Sequence, residues 1–274
     1  MSTLAVPRAA QQHEQRGFFD RFLSLIARDP NAAPAGATAR YTVDNCLDFA
    51  IKTIPDLRSR IAGKRVLDFG CGHGWQSIAL AKLGAAEVLG LDIVTSRFPE
   101  ACERAQNHGV AGRVRYSDSA EGFNADVVIS ISAFEHFSDP AAMLRLMESL
   151  LRPGGEILLA WAEPWLSPNG SHVNAFTRLP GTGMPFPWLN LVCPEHAVMR
   201  FRSRYRRDGA RRYEDVEGGL NKMTLARFER IVNGSGLRVG ELRYFGVWGL
   251  PLVTKIPGLR ELLTSAVSCT LQPA

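Results

Sequence analysis

The sequence predicts an α/β fold built on a doubly wound, mainly parallel sheet. Three observations carry that expectation. From about residue 40, short apolar runs rich in Val, Ile and Leu alternate with longer helical patterns, the signature of strands buried on both faces by crossover helices. The first of those strands runs straight into a glycine turn, "VLDFGCGHG" at 66–74, which brings backbone close to a ligand. The chain has 274 residues, 46% hydrophobic and 22% charged, enough to bury a core without disulfides or metal.

The elements follow in order. "RGFFDRFLSLIAR" reads as a short amphipathic helix, a lid or capping arm, and "ARDPNAAPAGATA" as a linker. "TVDNCLDFAIKTI" is helical and "KRVLDFG" is the first buried strand. "WQSIALAKLG" is a helix closed by Gly84 and "AEVLGLDI" the second strand. "RFPEACERAQNHG" is a helix stopped at Gly109, with "RVRYSDS" and "ADVVISIS" as strands three and four. "DPAAMLRLMESLLRPGG" has Asp139 as N-cap, Pro140 in the first turn and a Pro-Gly-Gly stop, with "EILLAWAE" as strand five. Residues 161–217 break the rhythm with Pro, Gly, Trp and Arg, as an insertion over the ligand edge. "TLARFERIVNGSG" and "LRVGELRYFG" restore a helix and a strand, and "SAVSCTLQ" suits a last edge strand. Four segments are expected: an arm and linker (1–40), a cofactor-binding core (41–160), a substrate cap (161–217) and the rest of the sheet (218–274).

Charge is local. The net charge is +5, and residues 200–214 alone hold seven Arg against Asp208 and Glu214. A basic patch from Arg200 to Arg212 is therefore the question, not a basic protein. Its spacing at Arg200, Arg204, Arg207 and Arg211 fits one helix face, either solvated or gripping a phosphate, a carboxylate or an acyl carrier. Five cysteines with no Cys-x-x-Cys pair, and an amino end without an apolar signal core, point to a reduced, cytoplasmic protein. "CPEH" at 193–196 has ligand-like spacing but no second pair, so no metal is expected.

The glycine spacing is G-x-G-x-G, not the G-x-G-x-x-G of dinucleotide folds, and no phosphate-loop Lys-Ser/Thr follows. Asp68 would repel a pyrophosphate but attract an ammonium. Asp92, twenty residues after Gly72 at the end of strand two, suits ribose hydroxyls. A ribose, a cationic amine and no phosphate describe S-adenosylmethionine, whose sulfonium is also positive.

At this point "VLDFGCGHG", "VLGLD", "ADVVISISAFEHFSDP" and "LLRPGGEILL" together resemble the class I S-adenosylmethionine-dependent methyltransferases, of bacterial small-molecule type. The resemblance spans about residues 64–160. It implies a Rossmann-like seven-stranded sheet with an antiparallel strand inserted near its end, a role the tail strand fits. It also implies that Asp68, Gly70, Cys71 and Gly72 line the methionine moiety. Asp92 would hold the ribose with Ile93 against adenine, either Asp118 or Ser119 would meet the adenine amine, and Ser130 and Ile131 would pass beneath the cofactor. Glu135-His136 matches a pair common in the family, with Glu135 read as structural.

An acceptor hydroxyl profits from a base, whereas a neutral amine needs mainly positioning. Tyr41, His136 and His172 are the catalytic candidates, with Glu163 after strand five, and Asn174 and His196 in the insertion. "GGLNKMTLARFERIV" at 218–232 resembles the return segment of many bacterial small-molecule methyltransferases, a resemblance that implies Asn221 near the substrate mouth. The insertion's Trp161, Trp165, Phe176, Phe186 and Trp188 suit either a cap over a planar or apolar acceptor or a small core of their own. The expected activity is methyl transfer to O or N of a small, possibly anionic or aromatic, molecule. The alternatives are an RNA or protein methyltransferase docking through the arginine patch, or a non-catalytic module. "VWGLPLVTKIPGLRELLTSAV", broken by Pro and Gly, reads as a packed edge rather than a membrane contact.

Overall fold

The computed structural model describes residues 17–29, 41–216 and 218–274. Most of the expected linker lies outside the described residues. Helix α1 (Phe18–Leu25) precedes α2 (Val43–Thr53) and α3 (Leu57–Ile61). Then come β1 (Arg65–Phe69), α4 (Trp75–Leu83), β2 (Glu87–Leu91), α5 (Phe98–Asn107), β3 (Val114–Ser117), β4 (Ala125–Ile131), α6 (Pro140–Ser149) and β5 (Leu151–Ala162). The insertion carries α7 (Leu189–Val192) and α8 (Glu195–Arg202), and the chain closes with α9 (Leu225–Asn233), β6 (Arg238–Gly246), α10 (Arg260–Leu263) and β7 (Thr264–Gln272).

The seven strands form one sheet in the order β3-β2-β1-β4-β5-β7-β6. β1 to β5 pair in parallel, and β7 pairs antiparallel with both β5 and β6. The doubly wound class and its antiparallel strand are as expected. Strand order reverses between β1 and β4, so their carboxyl ends open the crevice in which such sheets bind ligands.

Local chemistry explains the helices. Thr42 caps α2 in a reciprocal box with Asn45, and Asp139 accepts from the Ala142 amide at the start of α6. Gly84 ends α4 in the left-handed conformation. One apolar layer (Ile54, Ile61, Ile78, Leu80, Val88, Ile129 and others) covers one face of the sheet. The other face packs Phe134, Trp161, Phe228 and Val267. Among the described residues no helix is long and apolar enough to cross a membrane, and all five cysteines are free.

Four expectations are corrected. The tail strand β7 is central rather than an edge: it slots between β5 and β6, leaving the more polar β6 at the rim. β5 starts at Leu151 rather than Glu156, so Pro153-Gly154-Gly155 lies within the strand at an irregularity in its pairing with β4. The arginines share no helix face, because α8 ends at Arg202; Arg204 falls in the turn beyond it, and Arg207 and Arg211 in irregular chain. Finally, Trp248, Leu250, Leu252, Ile256 and Leu259 are exposed, so the segment before β7 is not a packed edge.

The insertion has its own core. Leu189, Val198, Phe201 and Tyr213 pack with Val173 and Phe176 and with Leu23 and Ile26 of the α1 segment. Phe176 stacks on Tyr205, Trp165 meets Tyr213 edge-on, and Phe22 meets Phe186. Most of the insertion's aromatics thus serve packing, while Trp161 belongs to the sheet core.

Candidate active site

The glycine turn after β1 is held by backbone. The amides of Gly70 and Cys71 both donate to the Leu91 carbonyl at the end of β2, and Gly74 donates back to Cys71. Gly70 has φ +81°, and a β-carbon there would stand 2.7 Å from the Ala133 side chain. Glycine is required because the turn presses against the loop after β4. Gly72, at φ +52°, differs: a β-carbon would meet nothing closer than an Arg97 nitrogen at 3.9 Å. The turn therefore leaves an open cradle at its middle glycine.

Asp92 locks that cradle. One carboxylate oxygen accepts from the Gly72 amide at 2.8 Å and the other from the Val94 amide at 2.9 Å. Each oxygen keeps a further lone pair for a diol. Beside it Ile93 is 92% exposed, the most exposed large apolar side chain among the described residues, as befits a surface waiting for a flat apolar ring. Asp118 and Ser119 are both exposed, at the end of β3. Ser119 accepts from the Glu121 amide, and nothing in the contacts chooses between the two.

Asp68 lies deeper than its expected role suggests. It is 1% exposed and accepts from the Ser77 hydroxyl. Burial pushes its carboxyl up to about 7, opposed by the Ser77 bond and assisted by Asp92. Cys71 is buried and its thiol is pushed far up by desolvation, so it acts as apolar lining. Ser130 is wholly buried with a hydroxyl that has no partner, at the end of β4. Ile131 follows it, and Ser132 then takes φ +52°.

A second cluster forms beside the ends of β4 and β5. His136 places Nδ1 on the Gly219 carbonyl, so Nδ1 carries the proton and Nε2 keeps its lone pair. The His172 ring lies 5.5 Å from the His136 ring, nearly perpendicular. His172 Nε2 is 3.4 Å from Glu163 Oε2, close but without a formed hydrogen bond. Burial, then His136, lowers His172 to about 3; burial also lowers His136, against the pull of Gly219. Both imidazoles are therefore neutral. Burial raises Glu163 to about 7 and Glu135 to about 8.

Tyr41 lies just before α2 and is 44% exposed; its hydroxyl is raised by burial first and then by Cys46, Glu135 and Glu163. Of the three catalytic candidates, His136 and His172, far apart in sequence, meet ring to ring. Glu163 and His172 hold left-handed backbones without being glycine, at φ +58° and +54°. Such strain costs roughly 1–3 kcal/mol each and persists only where surrounding structure enforces it. Sequence reasoning had no access to this strain, nor to Gly219 as the partner of His136.

Asn221 ties the site together. Its side-chain amide donates to the carbonyls of Phe134 and Phe137, and its backbone amide to that of Glu135. Asn174 is buried on the carbonyls of Pro168 and Phe186, a structural post, and His196 is exposed on α8.

An open glycine cradle and a carboxylate with free lone pairs beside an exposed isoleucine have the chemistry a nucleoside needs, and a pair of neutral histidines follows the neighbouring strand β4. The chain belongs to the methyltransferase-domain family, whose model matches residues 47–242. Among individual relatives, a ubiquinone biosynthesis O-methyltransferase of Cereibacter sphaeroides is 34% identical over 131 residues, 40% of this chain and 52% of that protein. A ribosomal protein L11 methyltransferase of Vibrio cholerae is 36% identical over 104 residues, 36% of this chain and 34% of that one. The chain thus matches about half the length, or less, of these relatives. The crystal structure of an S-adenosylmethionine dependent methyltransferase from Mesorhizobium loti shares the fold at TM-score 0.50, with 17% identity over 84% of this chain and 99% of that one. The [4+2]-cyclase SpnF shares it too, at TM-score 0.51 with 15% identity over 85% of this chain and 84% of that one. Fold alone therefore does not fix the reaction.

The residues fit S-adenosylmethionine. Gly72 leaves the space, Asp92 offers the acceptors, Ile93 offers the apolar face, and Asp68 offers a charge for the ammonium. A pH dependence follows. Below about 7 Asp68 holds a proton that a bound cation must expel. Affinity for S-adenosylmethionine is therefore expected to fall as pH falls through that value, by up to about tenfold per pH unit. Calorimetry across this range, with Asp68→Asn as control, checks it: the variant should bind weakly at every pH, and a wild-type affinity indifferent to pH would remove Asp68 from the site.

Proposed function

We propose that the protein is an S-adenosylmethionine-dependent methyltransferase acting on an oxygen or nitrogen of a small molecule. The observation that carries the reading is that the two half-sites follow neighbouring strands: the Gly72 cradle follows β1, and His136, in contact with His172, follows β4. When bound, S-adenosylmethionine supplies an electrophilic methyl on a cationic sulfur. The chain's own residues do the rest. Asp92 and the glycine turn fix the nucleoside end, and the Ser130–Ser132 segment floors the pocket. The insertion brings His172 over the edge to exclude water and to hold the acceptor in line. Burial alone leaves His172 a weak base; Glu163, once ionised beside it, raises its basicity, so that His172 takes the proton of a hydroxyl acceptor and Glu163 stabilises the resulting imidazolium.

The matched relatives support methyl transfer without choosing the acceptor. A ubiquinone biosynthesis O-methyltransferase and a ribosomal protein L11 methyltransferase both match. We favour the small molecule because His136 and His172 lie at the insertion, with its own aromatic core, rather than on an open face. We also assign residues 161–217 as a cap supported by α1, and the cytoplasm as the compartment, consistent with five free thiols.

Calorimetry with S-adenosylmethionine, its demethylated product and NAD, followed by a screen of phenols, alcohols and amines for methyl acceptance, tests the reading. Binding of the first two and turnover of a small acceptor are expected. Affinity for NAD alone would overturn the cofactor, and turnover of RNA or protein only would overturn the acceptor class.

A further inference from the structure

Beyond the active site, α1 and the arginine-rich turns form a surface with a composition of its own. α1 buries Leu23 against the insertion and leaves Phe18, Arg21 and Leu25 on one exposed stripe, spaced i, i+3, i+7. Phe18 is 77% and Leu25 76% exposed. After Ile93, which the cofactor reading explains, they are the most exposed large apolar side chains among the described residues. A helix that already buries its other face has no folding reason to present a phenylalanine and a leucine to water.

Cations border that stripe. Arg200 reaches Asp20 and, one helical turn along, Arg204 reaches the Ser24 hydroxyl at 3.1 Å. In helical projection Asp20 and Ser24 flank Arg21, so the order across the surface is apolar stripe, Arg21, then Arg204 and Arg200. Not all of the seven arginines are available. Arg202 is buried in a two-pronged pair with Asp208, and Arg212 pairs with Asp215. Among the described residues no carboxylate pairs with Arg21, Arg204 or Arg207. Arg21 and Arg204 therefore stand beside two bare apolar side chains, with Arg207 exposed three residues further along the same loop.

We propose that this face of α1, with Arg204 and Arg207, docks the protein on an anionic lipid bilayer. The juxtaposition selects the occupant. Apolar side chains at the acyl boundary with arginines at headgroup level are the arrangement of interfacial helices, and arginine stems reach between the two zones. A polynucleotide would use the cations and stack on Phe18 but leave Leu25 without a role. Each cation near a negatively charged leaflet adds attraction that fades within a Debye length. This surface is separate from the cofactor cradle, so the proposal stands or falls independently of the methyl-transfer reading.

Co-sedimentation of the full chain with phosphatidylcholine vesicles, with and without phosphatidylglycerol, tests it. Binding is expected only with the anionic lipid and should weaken with salt. Phe18→Ser with Leu25→Ser, and separately Arg204→Gln with Arg207→Gln, should each reduce partitioning about tenfold or more. These are exposed positions, and unchanged circular dichroism and cofactor affinity will show that the variants fold. Trp248→Ser with Leu252→Ser, on the other exposed apolar segment, should leave partitioning intact. The proposal is overturned by absent vesicle binding, by binding that survives both α1 and arginine variants, by loss only in the Trp248/Leu252 variant, or by the patch retaining RNA while ignoring vesicles.

Discussion

Asp92→Ala is expected to weaken S-adenosylmethionine binding by roughly 10- to 150-fold, the equivalent of 1.5–3 kcal/mol for hydrogen bonds to a charged group. The loss should lie at the upper end, because Asp92 has two duties. Besides offering lone pairs to a ribose, it holds the amides of Gly72 and Val94. Alanine frees both, and the cradle loses its shape along with its acceptors. Asp92→Asn keeps a single carbonyl oxygen, so it must abandon one of the two amides. Its loss should be intermediate. Calorimetry with cofactor and product measures both variants, and affinity in the alanine variant equal to wild type would show that the ribose is held elsewhere.

The second large effect concerns turnover. With an acceptor identified by the screen, His172→Gln should lower kcat by about 10²- to 10⁴-fold while leaving cofactor affinity alone, because the proposed role of His172 is on the acceptor side. The pH profile carries the mechanism. Glu163 is raised to about 7, and only its ionised form stabilises an imidazolium at 3.4 Å. The wild-type rate should therefore rise with pH through that value, and Glu163→Gln should flatten the rise and lower the plateau. If the acceptor is an amine already neutral at the working pH, His172→Gln will retain most of its rate. That result would assign His172 to packing against His136.

How much of this was written in the chain can be judged residue by residue. Strand and helix order is legible because burial on both faces of a parallel sheet enforces unbroken apolar runs, and because Gly84, Asp139 and Pro140 mark helix ends by local chemistry. The cofactor itself is equally legible, and the residues assigned to it remain the proposal the sequence suggests. Asp68, Gly70, Gly72 and Asp92 lie on two consecutive strand–loop units, and a strand end followed by glycines has few conformations open to it. The arginines show the opposite case. Their helical spacing is real in the sequence, but Arg202 pairs with Asp208 and the helix stops there. A pattern of one residue type does not reveal which ion pair will end it.

By itself, then, the sequence determined the sheet class, the cleft edge and a pocket for a phosphate-free nucleoside, all set by periodicity and by contacts within a few dozen residues. Tertiary structure alone decided what depends on distant chain segments meeting. It placed β7 between β5 and β6, because the tail is apolar enough to be buried on both faces while β6 is not. It turned the insertion's aromatics inward with α1, leaving Phe18 and Leu25 outside. It also set His172 against His136 and Glu163. Burial then made both histidines neutral and lifted the two carboxyls, because desolvation is a property of the packed surroundings and has no counterpart in the order of residues.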